Sequence, residues 1–452
     1  MPDSDPQGRP EAAPTRSAAS SPESVSPRDT TASYETTTSH RDDSSRRNPY
    51  ATILRFPGAA RFSVAAAIAR LPMSMVGLAI VLIVEHTYGS YAAGGRVTAA
   101  YLIAAAIATP LIARLVDRHG QAKVMRPIVV INSTLTVALG LAIVNQAPEP
   151  VLWGIAAVVG ATIGSFGALV RKRWTHVLDS PNHLHTAFSL ESALDEFLFV
   201  IGPTLATILV VQVWPLAGLL VPAAGALIGG LWFCAQRASE PPAHPVTADA
   251  TRGKSVLRNK SLLALSAIFL FIGVIFGSVE VSTVAFAKEA GRENLGGLIL
   301  GVFAAGSMIT GLAYGARHWR STLVRRLTVT VTILAIGIAC LLLAQNLWQL
   351  TLVLLVTGVA IAPTLITGNN IIHEIVHAGQ LTEGLAWAST AMTIGVSVGT
   401  AVAGGQIDRL GAVGGYLISA LGGAVALLLT YAAATAFRRR RTAVRRVQGN
   451  AA

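Results

Sequence analysis

Charge is what this chain has least of. Asp, Glu, Lys and Arg make up 13% of its 452 residues, about half the share in a soluble domain. That excludes an ordinary water-soluble body. Cysteine is nearly absent: Cys234 and Cys340 are the two, each inside an apolar run. They exclude a disulfide scaffold and read as small buried residues. No Gly-rich loop ends in Gly-Lys-Ser/Thr, so ATP-driven work is not expected. No apolar core follows Met1 closely, so no signal peptide is read there. Acids are scarcer than bases, and the formal charge is +12. The bases cluster in loops and tails, as orientation in a bilayer and contact with anionic lipid require. No nucleic-acid partner is expected.

What the chain has is apolar length. Hydrophobic residues make up 52%, and mean hydropathy is +0.56. A spanning helix needs about 20 largely apolar residues. Twelve stretches qualify, near 62–84, 95–114, 125–145, 151–170, 187–211, 215–235, 262–284, 296–316, 325–345, 347–369, 383–404 and 413–436. The 42 glycines suit helices whose backbones approach closely in lipid. Residues 1–58 are rich in Ser, Thr, Pro, Arg and Asp, and are expected to be a disordered tail. Residues 237–260 form the longest polar interior segment. They divide the chain into a bundle at 59–236 and a bundle at 261–437, followed by a basic tail at 438–452. The expected fold class is an all-α membrane protein of twelve spanning helices in two bundles of six.

Lys and Arg set the orientation. The loops after even-numbered spans hold Arg118, Lys123 and Arg126, then Arg171, Lys172 and Arg173, then the linker, then Arg317, Arg320, Arg325 and Arg326. The alternate loops hold only Arg96, Lys288, Arg292 and Arg409. Both termini are expected in the cytoplasm, with the protein multi-pass in the plasma membrane.

Between the second and third stretches lies Ala113-Arg114-Leu115-Val116-Asp117-Arg118-His119-Gly120-Gln121-Ala122-Lys123. An acid, an adjacent arginine, a helix-stopping glycine and a lysine give this surface turn ion pairs of its own. It resembles the signature loop of the major facilitator superfamily, roughly Gly-x-x-x-Asp-Arg-x-Gly-Arg-Lys. Asp117, Arg118, Gly120 and Lys123 match, whereas Ala113 and Gln121 depart from it. The resemblance implies two pseudo-symmetric bundles of six helices, with the first, fourth, seventh and tenth lining a central cavity. It also implies that the Asp117 loop is a conformational latch between the halves. A second copy, Gly404-Gly405-Gln406-Ile407-Asp408-Arg409-Leu410-Gly411, falls on the opposite face. There the pattern reads in part as a way of ending a helix at a surface.

Ionisable residues inside a bilayer are expensive and mark function by default. Arg70 stands two residues before Pro72 in the first stretch, and either snorkels to the surface or faces the cavity. The fifth stretch carries Glu191, Asp195 and Glu196, with Glu191 and Asp195 four apart on one face. Carboxylates so close supply what a proton site needs; the alternative is ion pairing with Arg171, Lys172 or Arg173. Further on, Gly202-Pro203 predicts a bend and resembles the core of a fifth-helix antiporter signature, although Thr204, Leu205 and Ala206 follow it. Glu280 is the lone acid of the seventh stretch and is either protonated or paired with a distant group such as Arg70, the alternative being a position at headgroup level near the outer face. By the resemblance it faces substrate. Asn369 and Asn370 close the tenth stretch, touching ligand or neighbouring helices. His373-Glu374-Ile375-Val376-His377 has the spacing of a zinc site but no third ligand. No metal or other cofactor is expected.

The resulting expectation is a monomeric secondary transporter, not an enzyme, that moves a small molecule by alternating access and couples to protons. Export of a lipophilic or cationic compound is the preferred direction. Uptake of a nutrient with protons is the runner-up, and a membrane-embedded sensor or enzyme the third reading.

Overall fold

In the computed structural model, residues 49–243, 259–315, 319–376 and 381–449 are described. Among them every element is helical, and twelve helices or helix pairs are long and apolar enough to cross a bilayer. They are Ala59–Tyr88, Tyr91–His119, Gln121–Val144, Glu149–Val177, Thr186–Val213 and Ala217–Ala235, then Lys260–Glu289, Leu295–Tyr314, Leu323–Leu343, Leu347–Ile375, Gly384–Leu410 and Ala412–Thr435. Each coincides with one of the twelve expected stretches. Helices dominate because lipid offers no partner for backbone N–H and C=O, so each span must satisfy its own.

Three spans are interrupted midway. The first breaks at Arg70, between helices Ala59–Ala69 and Leu71–Tyr88, with Pro72 opening the second piece. Proline has no N–H to give, so a helix start is where it fits. The fourth breaks over residues 162–165, between Glu149–Ala161 and Phe166–Val177. The tenth breaks at residues 359–360, between Leu347–Gly358 and Ile361–Ile375. Irregular backbone at membrane depth is tolerated where it lines a cavity, and the breaks foreshadow one.

Of the expected tail, residues 1–48 lie outside the described residues, while Pro49–Leu54 forms a helix that buries Ile53 in the first bundle's core. Of the linker, residues 244–258 lie outside. Its beginning is tied down: the buried guanidinium of Arg173 donates to the Gln236 carbonyl (3.0 Å), to Ser239 Oγ (3.0 Å) and to Gln121 Oε1 (2.9 Å). It also lies 3.7 Å from the Phe233 ring centre. Gln121, one of the two departures from the signature, is therefore a buried acceptor for an arginine brought from the fourth span. Glu240 then accepts from the Ala122 N–H (2.8 Å) and caps the third span. Cys234 and Cys340 are both free thiols.

The two bundles meet along two seams. The second and eleventh spans touch through glycine: a Cβ on Gly95 would lie 2.7 Å from the Thr400 carbonyl oxygen, and one on Gly404 2.4 Å from that of Tyr91. The fifth and eighth spans meet where Thr204 Oγ1 donates to the Gly297 carbonyl (3.0 Å). Lys288 at the end of the seventh span pairs with Glu85 at the end of the first (2.5 Å). All of these contacts lie toward the face opposite the basic loops.

Candidate functional site

Between the bundles lies a cavity of about 1200 Å³. It is closed at the face opposite the basic loops by the seams above. Toward the basic face its lining extends to Ser165, Phe188 and Ala386. The breaks in the first, fourth and tenth spans contribute Arg70, Thr162 to Ser165, and Ile361. The seventh span contributes Phe276 and Glu280. The lining is mainly apolar and aromatic, and its charged side chains are Arg70, Glu196 and Glu280.

Arg70 is not available as a free cation. It is 3% exposed, donates to Glu191 Oε2 at 2.5 Å and to Asp195 Oδ1 at 2.6 Å, and its Nε bonds the Ala66 carbonyl at 3.1 Å. Glu191 is fully buried and its second oxygen accepts from Ser63 Oγ (2.6 Å) and Trp174 Nε1 (2.9 Å). Asp195 takes a second arginine, Arg171, at 2.9 Å. Two guanidinium and two carboxylate groups thus neutralise one another across the first, fourth and fifth spans. A buried pair needs this completeness, because its desolvation is repaid only when the remaining lone pairs and protons are also bonded. Arg70 is paired inside the bundle rather than snorkelling, and its partners are the fifth-span acids rather than Glu280.

The other two acids differ. Glu196 and Glu280 line the cavity half-buried, and among the described residues neither forms an ion pair or a side-chain hydrogen bond. With Arg70 already balanced, the ionisable groups of the cavity wall that have no counter-charge among the described residues are these two carboxyls.

The remaining candidates separate as well. Asn369 lines the cavity and Asn370 does not, although both are exposed. Gly202 faces the first span, where a Cβ would lie 2.2 Å from Ser74 Oγ. Pro203 lines the cavity, and the helix runs on past it to Ile208 before loosening into a π turn at Leu209–Val213. In the signature loop Gly120 adopts φ +90°, which a side chain would strain. Asp117 pairs with Lys172 of its own bundle (2.5 Å), while Arg118 and Lys123 are exposed. His373 is exposed, and His377 lies outside the described residues.

Sequence reasoning missed Ser63 and Trp174 as partners of Glu191. It also missed Asn132, whose Nδ2 donates to the Val159 carbonyl (2.8 Å) and Thr162 Oγ1 (3.2 Å), steadying the break in the fourth span. A polar residue in the middle of an apolar run was the available signal.

Comparison with known proteins agrees with this architecture. The solved nucleoside transporter NupG, in a point-mutant form, superposes with a TM-score of 0.67 at 12% identity, covering 83% of this chain and 98% of that one. The human organic anion transporter MFSD10 gives 0.59 at 14%, covering 85% and 100%. An auto-inhibited peptide transporter of the POT family gives 0.63 at 11%, covering 85% and 97%. At such identities these likenesses establish the fold. No curated protein sequence matches this chain. The family model described as Major Facilitator Superfamily matches residues 62–324, more than half of the 452. The chain therefore belongs to the major facilitator superfamily, as a membrane transporter of small molecules.

Proposed function

We propose that this protein is a proton-coupled secondary transporter of the plasma membrane that exports an amphipathic organic cation. The observation that carries the reading is a cavity of about 1200 Å³ whose free charged groups, among the described residues, are the carboxylates Glu196 and Glu280. Apolar walls bind an apolar body, and buried anionic charge selects a cation. The same carboxylates accept protons when no cation is bound, so one site exchanges the two. Glu191 and Asp195 hold Arg70 and shape the break in the first span. The basic loops face the cytoplasm with both termini, so the conformation described is inward-open. Asn369 contributes a polar contact to the cargo. The protein works as a monomer, since each chain encloses a whole cavity.

The test is ethidium efflux from a host lacking its own exporters. Efflux that depends on the protein and collapses with an uncoupler supports the reading. Protein-dependent accumulation of ethidium would reverse the direction to uptake. No protein-dependent movement of ethidium or of other organic cations would remove the substrate class.

A further inference from the structure

Of the hydrogen bonds that cross between the bundles at the closed face, three end on one carboxylate. Asp408, at the end of the eleventh span, accepts from Ser90 Oγ at 2.6 Å, from the Tyr91 N–H at 2.8 Å and from the Ala92 N–H at 3.0 Å. Those donors open the second span, whose first N–H groups have no partner within their own helix. Ser90 completes the cap by accepting from the Ala93 N–H at 3.1 Å. A helix N-terminus carries partial positive charge, so an anion there is stabilised. Here the anion comes from the other half of the molecule, 316 to 318 residues away in sequence.

We propose that Asp408 is the clasp of the closed face: a positioning residue that sets how often this end of the transporter opens. Gly404 makes the clasp reachable. It lies four residues earlier, one turn back on the same helix, and its missing side chain lets the eleventh span touch the Tyr91 carbonyl. When the bundles separate at this face, the second span loses its cap and Asp408 loses all three donors together. The bonds can therefore exist only in the state described. The inference rests on alternating access and needs neither the substrate class nor proton coupling proposed above.

The clasp has a counterpart at the other face. The second and eleventh spans pack on each other, and each ends in Asp-Arg-x-Gly, at opposite faces. In the state described, Asp408 crosses to the other bundle while Asp117 stays with Lys172 of its own. One copy is engaged and the other is not, as a rocking motion about this helix pair requires.

Asp408 is exposed, so removing its carboxylate leaves no buried hole and the fold should survive. The experiment uses the full chain in lipid nanodiscs, with Cys234→Ser and Cys340→Ser. Spin labels are placed at Asn145 and Gln345 on the clasped face, and in a second sample at Thr175 and Glu374 on the basic face. Pulsed electron resonance then reads both distances. Asp408→Ala is expected to raise the ratio of open to closed molecules at the clasped face by about fivefold, the usual weight of a lost helix cap. The distance across the basic face shortens in the same molecules. Gly404→Ala gives the same pattern, Ser90→Ala a smaller one, and Asp408→Glu restores most of the parent distribution. Unchanged distances in Asp408→Ala and Gly404→Ala overturn the proposal. So does lengthening at the clasped face without shortening at the basic face, which would describe a loosened bundle rather than a released clasp. Should Asp408→Ala fail to fold, Ser90→Ala alone decides by the same two distances.

Discussion

Asp195 and Glu196 are consecutive residues of one helix, and their surroundings have little in common. Asp195 stands between Arg70 and Arg171, at 2.6 and 2.9 Å. Glu196, turned by about 100° around the helix axis, lines the cavity with no cation against it among the described residues. One position belongs to a neutral clamp that joins three spans, the other to a cavity wall where its carboxyl meets no counter-charge among the described residues. The lesson is that a cluster of acids in a spanning helix is not one site. Each carboxylate is defined by what the neighbouring helices place against it.

The sharpest way to break this contrast is to remove one side of the clamp. Glu191→Ala leaves Arg70 short of a partner in a buried setting and is expected to destabilise the protein by about 3–5 kcal/mol. Thermal unfolding in detergent reads this. The double replacement Arg70→Met with Glu191→Leu should recover much of that loss, because an apolar pair needs no compensating charge. If Glu191→Ala unfolds like the parent, the clamp does not hold the first span.

Next comes the cavity wall. Glu280→Gln is expected to shift stability by less than about 1 kcal/mol, since no ion pair is lost. Gradient-driven ethidium efflux should nevertheless fall to the background of cells without the protein. Then the neighbours themselves are separated. Glu196→Gln should lose coupling while unfolding at the parent temperature. Asp195→Asn should keep coupling in the folded fraction while losing about 1–3 kcal/mol of stability. The opposite pattern in this pair would exchange the roles assigned to the two residues. The smallest effect is expected at the loop: Asp117→Ala removes a surface pair with Lys172, worth no more than about 1 kcal/mol. It should slow cycling without altering which compounds are carried, as read from efflux rates across a panel of dyes.

Much of the fold was legible in the sequence, and the reason is the solvent. Lipid demands long uncharged runs, so twelve of them stand out, and polar interruptions mark the turns. Arg70 and the fifth-span acids stood out for the same reason. Their pairing did not, because the partners are 121 and 125 residues apart in sequence. Spacing along one helix describes which residues share a face, and says nothing about which helix packs there. For that reason Glu280 was offered Arg70 as a partner, whereas the fold gives Arg70 to the fifth span. The expected tail was drawn past Pro49–Leu54 for a related reason. A six-residue helix carries little periodicity, and Ile53 is buried only by what folds over it. Gln121 looked like a defect in the signature until Arg173 supplied its partner.

The central claim is that Glu196 and Glu280 exchange protons for an organic cation. The direct measurement is proton flux, reported by a pH dye sealed inside proteoliposomes, on adding ethidium to the outside. With the parent protein, ethidium should drive proton movement in the opposite direction. Glu196→Gln with Glu280→Gln, reconstituted to the same density and equally folded, should abolish it. Ethidium-driven proton flux that persists unchanged in the double variant would contradict the account.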